Sequence, residues 1–123
     1  MMKAPCGHEE GLFDYGEAVR RLDGQPDLFG MIASILAEDC PRDLEAMRAA
    51  LDTGNAEALA FCAHKMKGSL SAIAANPARA AARKLEVLGR EGDLAAAREA
   101  YPDLEQRVRA LLIALSPYLQ HEA

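Results

Sequence analysis

Apolar residues recur along this chain at intervals of three and four, and nowhere with the two-residue alternation of a half-buried strand. Residues 1–11 stand apart: they contain Pro5, Gly7 and Gly11 with little periodicity and read as a flexible leader, so the fold should begin near Phe13. A short helix is predicted over 14–22, with Asp14 as N-cap and Gly24 beyond its end. From Asp27, the residues Leu28, Met31, Ile32, Ile35 and Leu36 form a helical stripe that Leu44, Met47 and Leu51 continue past Pro41. Pro41 lacks a backbone donor and disfavours helical geometry at Cys40, which predicts one bent helix or two abutting ones, closed by Thr53-Gly54. A third run, capped by Asn55, carries Leu59, Ala63, Met66, Leu70 and Ile73 and should end near Asn76-Pro77. The fourth runs from Pro77 through Ala81, Leu85 and Leu88 to Gly89 and Gly92. Asp93 opens the last, whose stripe of Leu94, Tyr101, Leu104, Val108, Leu111 and Leu115 stays in phase across Pro102, predicting a bend there more than a stop.

Long amphipathic helices joined by a few residues must lie antiparallel. The expected architecture over 12–119 is therefore all-α: an antiparallel up-down four-helix bundle with a short accessory N-terminal helix.

Composition narrows the function. The hydrophobic half of the chain is mostly Ala and Leu, without Trp, which favours helix over sheet. A net charge of -5 argues against a nucleic-acid partner, which calls for clustered Lys and Arg. No apolar run approaches the roughly 20 residues of a membrane span, and the first residues are too polar for a signal peptide, so a cytoplasmic protein is expected. Cys6, Cys40 and Cys62 are odd in number and widely spaced, as free thiols in a reducing compartment would be. The Cys6 and His8 pair offers two ligands, which close no metal site.

The segment with chemical content is Ala63-His64-Lys65-Met66-Lys67-Gly68-Ser69-Leu70, in the third helix. At about 100° per residue, Leu59, Ala63, Met66, Leu70 and Ile73 share the buried line and His64 falls about 140° away, toward solvent. Spacing alone favours an ordinary surface histidine. Its neighbours add to the picture. Lys67, three residues on, can bring an ammonium to a phosphoryl group on the ring. Lys65 and Lys67 together should disfavour imidazolium and keep a ring nitrogen available for attack. Gly68, one turn beyond His64 on the same face, costs about 1 kcal/mol in a helix and either admits a partner to the imidazole or serves close helix packing. Cys62 diverges from His64 by about 200° and cannot share an ion with it, while Ser69, about 140° away, makes no hydrolytic pair. No phosphate-cradling glycine loop or dinucleotide fingerprint is present, so no autonomous kinase activity is expected and the phosphate must come from another protein.

This segment resembles the signature of the histidine-phosphotransfer (HPt) family of multistep phosphorelays, in which Ala-His-x-Leu-Lys-Gly-Ser is followed by small residues. Met66 stands for the more usual Leu, a volume-conserving change, and Leu70 stands where a smaller residue is often found. The context is also similar, from the upstream helix with acidic residues before a Pro, through the turn at 51–55, to the segment at 85–93. The resemblance implies that His64 is the phosphoacceptor, Lys67 the cation beside the phosphate and Gly68 the position that admits a receiver domain. It implies response-regulator receiver domains and a hybrid sensor kinase as partners and a monomeric carrier without cofactor, the Mg²⁺ residing on the receiver. Lys65, Ser71, Phe61 and Ala60 are the candidate binding surface, with Phe61 either a partner contact or packed under the N-terminal helix. Arg79 and Arg83 are candidates for the docking face. A sensor-kinase dimerisation region lacks support, since no Glu-Leu-Arg-Thr-Pro continuation or nucleotide-binding domain follows. A non-catalytic helical adaptor with an incidental His64 is the alternative.

Overall fold

The computed structural model describes residues 11–119, in which all regular secondary structure is helical. The elements are α1 (Tyr15–Arg21), α2 (Pro26–Thr53), α3 (Ala56–Ala72), α4 (Asn76–Glu91) and α5 (Leu94–Leu115), followed by a 3-10 turn at Ser116–Tyr118. Residues 1–10 of the expected leader, and with them Cys6 and His8, lie outside the described residues; Gly11, at its end, is helical with Leu12.

Capping chemistry sets the starts of three helices. The carboxylate of Asp14 accepts from the Glu17 amide at 3.0 Å, the side chain of Asn55 from Ala58 at 3.0 Å, and Asp93 from Ala96 at 3.1 Å. Gly54 and Gly92 end α2 and α4 in the left-handed region, at φ 72° and 74°.

Pro41 neither breaks α2 nor divides it. The buried stripe Phe29, Ala33, Leu36, Cys40, Leu44, Met47 and Leu51 runs in phase through the proline, which itself faces solvent. An interior proline costs about 3 kcal/mol or more. Burial of large apolar side chains such as Phe29, Leu36, Leu44, Met47 and Leu51 contributes about 1.5–3 kcal/mol each, so packing decides for one continuous helix. The same holds for α5, which passes Pro102 with Ala97, Tyr101, Leu104, Val108, Leu111 and Leu115 all inward.

The end of α3 departs from the sequence reading. The helix stops at Ala72 rather than near Asn76, and Ile73, Ala74 and Ala75 form a buried turn with Ala74 at φ 56°. The amide of Ala75 donates back to the Leu70 carbonyl at 3.0 Å, and that of Ala74 to Ser71 at 3.0 Å. Ala74 occupies a position that usually calls for glycine, so no local signal marked the stop.

α3 packs along both α2 and α4, and α5 along both α4 and α2. Their inward stripes form one core, with Leu59, Met66, Leu70, Leu85, Leu104 and Leu111 fully enclosed. The segment carrying α1 closes one end. Asp14 donates its amide to the Ala74 carbonyl at 3.1 Å, the Arg21 guanidinium donates to the Ser71 carbonyl at 2.8 Å, and Phe13, Tyr15, Phe29 and Tyr118 form a cluster of contacting rings. Among the described residues, no helix is long and apolar enough to cross a membrane.

Candidate functional site

Two adjacent helices build the site around His64. Leu59, Ala63, Met66 and Leu70 anchor α3 to the core, which turns His64 outward with 61 % of its side chain exposed. Gly89 of α4 sets how closely α4 approaches. A Cβ there would lie 3.0 Å from the Ala60 nitrogen, 3.1 Å from the Ala56 carbonyl and 3.1 Å from the Ala60 Cβ, so the two backbones meet at this glycine. Close contact near the Gly89 end brings Glu86, one turn earlier on α4, under His64 and Lys67.

Glu86 is the centre of the arrangement. Only 5 % of its side chain is exposed, and its carboxylate meets three basic groups: Oε2 accepts from His64 Nδ1 at 2.8 Å and from an Arg90 guanidinium nitrogen at 2.6 Å, while Oε1 lies 2.8 Å from Lys67 Nζ. The Lys67 bond is the main cause holding the Glu86 carboxyl below the ordinary glutamate value, against burial and with help from His64 and Arg90. With Nδ1–H committed to a carboxylate, the neutral ring carries its free lone pair on Nε2, on the other side of the ring.

Glu86 ionised is worth more folded than unfolded, so its stabilisation is present above its unfolded pKa and disappears as the pH falls through its depressed folded value. Chemical unfolding is therefore expected to show stability falling in acid through and below the ordinary glutamate range, and Glu86→Gln to flatten that dependence. An unchanged pH profile in the variant would contradict this account.

The other expected residues distribute as follows. Lys67 is near the ring but held by Glu86, and Lys65 reaches back to Asp43 of α2 at 3.2 Å. Both lysines are thus paired, Lys65 with Asp43 and Lys67 with the Glu86 carboxylate that also faces the ring. Gly68 is exposed, and a Cβ on it would meet nothing within 4 Å, so helix packing does not explain it. Phe61 is 72 % exposed and is not packed under α1. Ala60 is half-buried in the contact with Gly89. The Ser71 hydroxyl donates to the Lys67 carbonyl at 3.0 Å. Arg83 is exposed and shares a face of α4 with Glu86, Arg79 is half-buried, and the arginine that engages the site carboxylate is Arg90.

Glu86 and Arg90 were not singled out from the sequence. Their i,i+4 spacing reads as an ordinary surface ion pair. The available signal was hairpin register: α3 and α4 fold back on a short turn, which places residues about ten before and ten after that turn side by side.

Cys40 is buried, with its thiol pushed up to about 12 by burial, Asp43 and Asp39, so it stays protonated. No three His, Cys, Asp or Glu side chains gather as a metal site among the described residues.

A family model described as Hpt domain matches residues 31–116. No curated protein matches. A crystal structure of histidine-containing phosphotransfer protein B from Pseudomonas aeruginosa PAO1 superposes with a TM-score of 0.77 over 89 % of this chain and 96 % of that one, at 22 % identity, which establishes a shared fold.

Proposed function

The chain belongs to the Hpt domain family, and from this premise we propose that His64 is the residue on which it carries the phosphoryl group. Its role is histidine phosphotransfer in a phosphorelay. The observation that carries the assignment to His64 is the Glu86 carboxylate 2.8 Å from Nδ1, which leaves Nε2 as the exposed nucleophile.

In the forward step the Nε2 lone pair attacks the phosphorus of an aspartyl phosphate on a receiver domain. The N–P bond forms, the P–O bond to the aspartate breaks, and the aspartate leaves as carboxylate. Nδ1 keeps its proton throughout, so the ring becomes cationic, and the buried carboxylate of Glu86 is already in place to stabilise that charge. Lys67 and Arg90, held on the same carboxylate, stand one turn either side of this point as sources of positive charge for the phosphoryl oxygens. The reverse steps deliver the group to a second receiver, and the Mg²⁺ of the family's chemistry belongs on the receiver side. The partners are response-regulator receiver domains and a hybrid sensor kinase, and the carrier is a cytoplasmic monomer. α2 to α5 are read as an antiparallel up-down four-helix bundle with α1 as accessory. Lys65, Phe61 and Ser71 flank the docking surface on α3, with Ala60 at its edge.

The direct experiment is incubation with a phosphorylated receiver domain. Label should move to this chain in a form labile to acid and stable to alkali. Stable binding to receivers with no label transferred would favour the adaptor reading.

Gly68 supplies access in this scheme, and its two kinds of substitution separate access from stability. Gly68→Ala should raise stability by about 1 kcal/mol, since a mid-helix glycine is replaced where a methyl has open space. Gly68→Gln should gain similar helix stability yet slow transfer markedly, because the longer side chain stands one turn from His64. Transfer at the original rate in Gly68→Gln would remove the access role.

A further inference from the structure

We propose that the cleft between α2 and α5 is a second recognition site, one that receives an acidic side chain from a protein partner while leaving His64 free. The cleft has a volume of about 260 Å³, and no residue of α3 or α4 lines it. Its floor is apolar, from Pro41, Leu44 and the ring of Tyr101, whose hydroxyl is committed to the Leu44 carbonyl at 2.9 Å. Its rim holds three arginines, Arg42, Arg48 and Arg109, and two glutamates, Glu45 and Glu105.

The charges do not cancel. Arg109 is paired with Glu105 at 2.9 Å, whereas Arg42 and Arg48 have no ion-pair partner among the described residues. With Glu45 on the rim also unpaired among the described residues, three arginines against two glutamates leave one net positive charge at this cleft of a chain with net charge -5, a local reversal of sign. Guanidinium binds carboxylate through two parallel hydrogen bonds, a geometry an acidic side chain supplies. The glutamates on the rim disfavour a dianion such as phosphate more than a carboxylate.

Size points the same way. Sites that enclose a metabolite or cofactor usually offer about 300–1,000 Å³, and this cleft is smaller. An inserted side chain of a partner needs less room, and the apolar floor suits a hydrophobic neighbour of the acidic residue. The site lies off the helix pair that carries His64, so one partner can stay engaged there while another exchanges phosphate.

The test is an NMR titration of the full chain with an N-acetylated, C-amidated peptide Leu-Glu-Glu-Leu, and with its Leu-Gln-Gln-Leu counterpart. Amide shifts should appear at residues 42–48, at Tyr101 and at 103–109, with the Gln peptide and high salt each weakening them. The Arg42→Ala/Arg48→Ala double variant should bind the Glu peptide at least about tenfold more weakly, while still accepting phosphate on His64. Both arginines are exposed, and Arg42→Gln/Arg48→Gln keeps the side-chain length if the alanine pair unfolds. Absence of shifts at millimolar peptide, equal binding of the Gln peptide, undiminished binding by the double variant, or inorganic phosphate displacing the peptide as an equal competitor would each overturn the proposal.

Discussion

His64→Gln is expected to leave a folded protein that takes up no label from a phosphorylated receiver, the largest single effect available in this chain. The loss is of the nucleophile itself, and neither Lys67 nor Arg90 can replace it, since both are cations at neutral pH. Glutamine is the informative replacement because its amide can donate to Glu86 in place of Nδ1–H, and Lys67 and Arg90 remain on that carboxylate. The buried charge therefore stays partnered, and the histidine was mostly exposed, so the thermal midpoint should move by no more than a few degrees. Circular dichroism checks the fold and transfer from a labelled receiver checks the chemistry. Label persisting at the original level would mean that the phosphoryl group sits elsewhere.

The second large effect is expected at a residue with no chemistry. Gly89→Ala must push a methyl group into the backbone of α3 at Ala56 and Ala60, where no flexible side chain can yield. Overpacking of this kind costs about 1–3 kcal/mol. Relief requires the facing backbone of α3 to give way against α4, and Glu86 and His64 lie on opposite sides of that joint. The variant should therefore lose stability in a denaturant titration and lose transfer rate beyond what its folded fraction explains. Gly68→Ala on the neighbouring helix should shift stability in the opposite direction. If Gly89→Ala matched wild type in both measurements, the close approach of the two helices would not set the site.

The contrast between these two glycines also marks what could be read from the sequence. Gly68 was legible because its neighbours on α3 defined a buried stripe from which it points away, and one helix suffices for that inference. Gly89 looked like a helix terminator beside Gly92, since its function depends on a second helix. The same division runs through the site. His64, Lys67 and Gly68 share one helix face and were found together, whereas Glu86 and Arg90 join them only through the pairing of α3 with α4. The helix starts were marked by Asp14, Asn55 and Asp93, whose side chains cap locally. The stop after Ala72 was not marked, because tertiary contacts hold Ala74 in a conformation its own chemistry disfavours. Pro41 and Pro102 were legible as insertions into continuous stripes, and core burial decided that the helices run through them.

Just past the end of α3 the Ala74 carbonyl finds its donor in the Asp14 amide, and the Ser71 carbonyl, already bonded to the Ala74 amide, takes a further hydrogen bond from Arg21. Asp14 and Arg21 both precede residue 31, where the family match begins. A module excised at that match and transplanted into another protein would carry every residue of the phosphate-bearing face and yet strand the Ala74 carbonyl, and strip that of Ser71 of its Arg21 bond, at the root of the helix that presents it. The transplantable unit accordingly starts near Phe13, and its upstream boundary is set by hydrogen-bond closure rather than by the extent of the recognisable sequence.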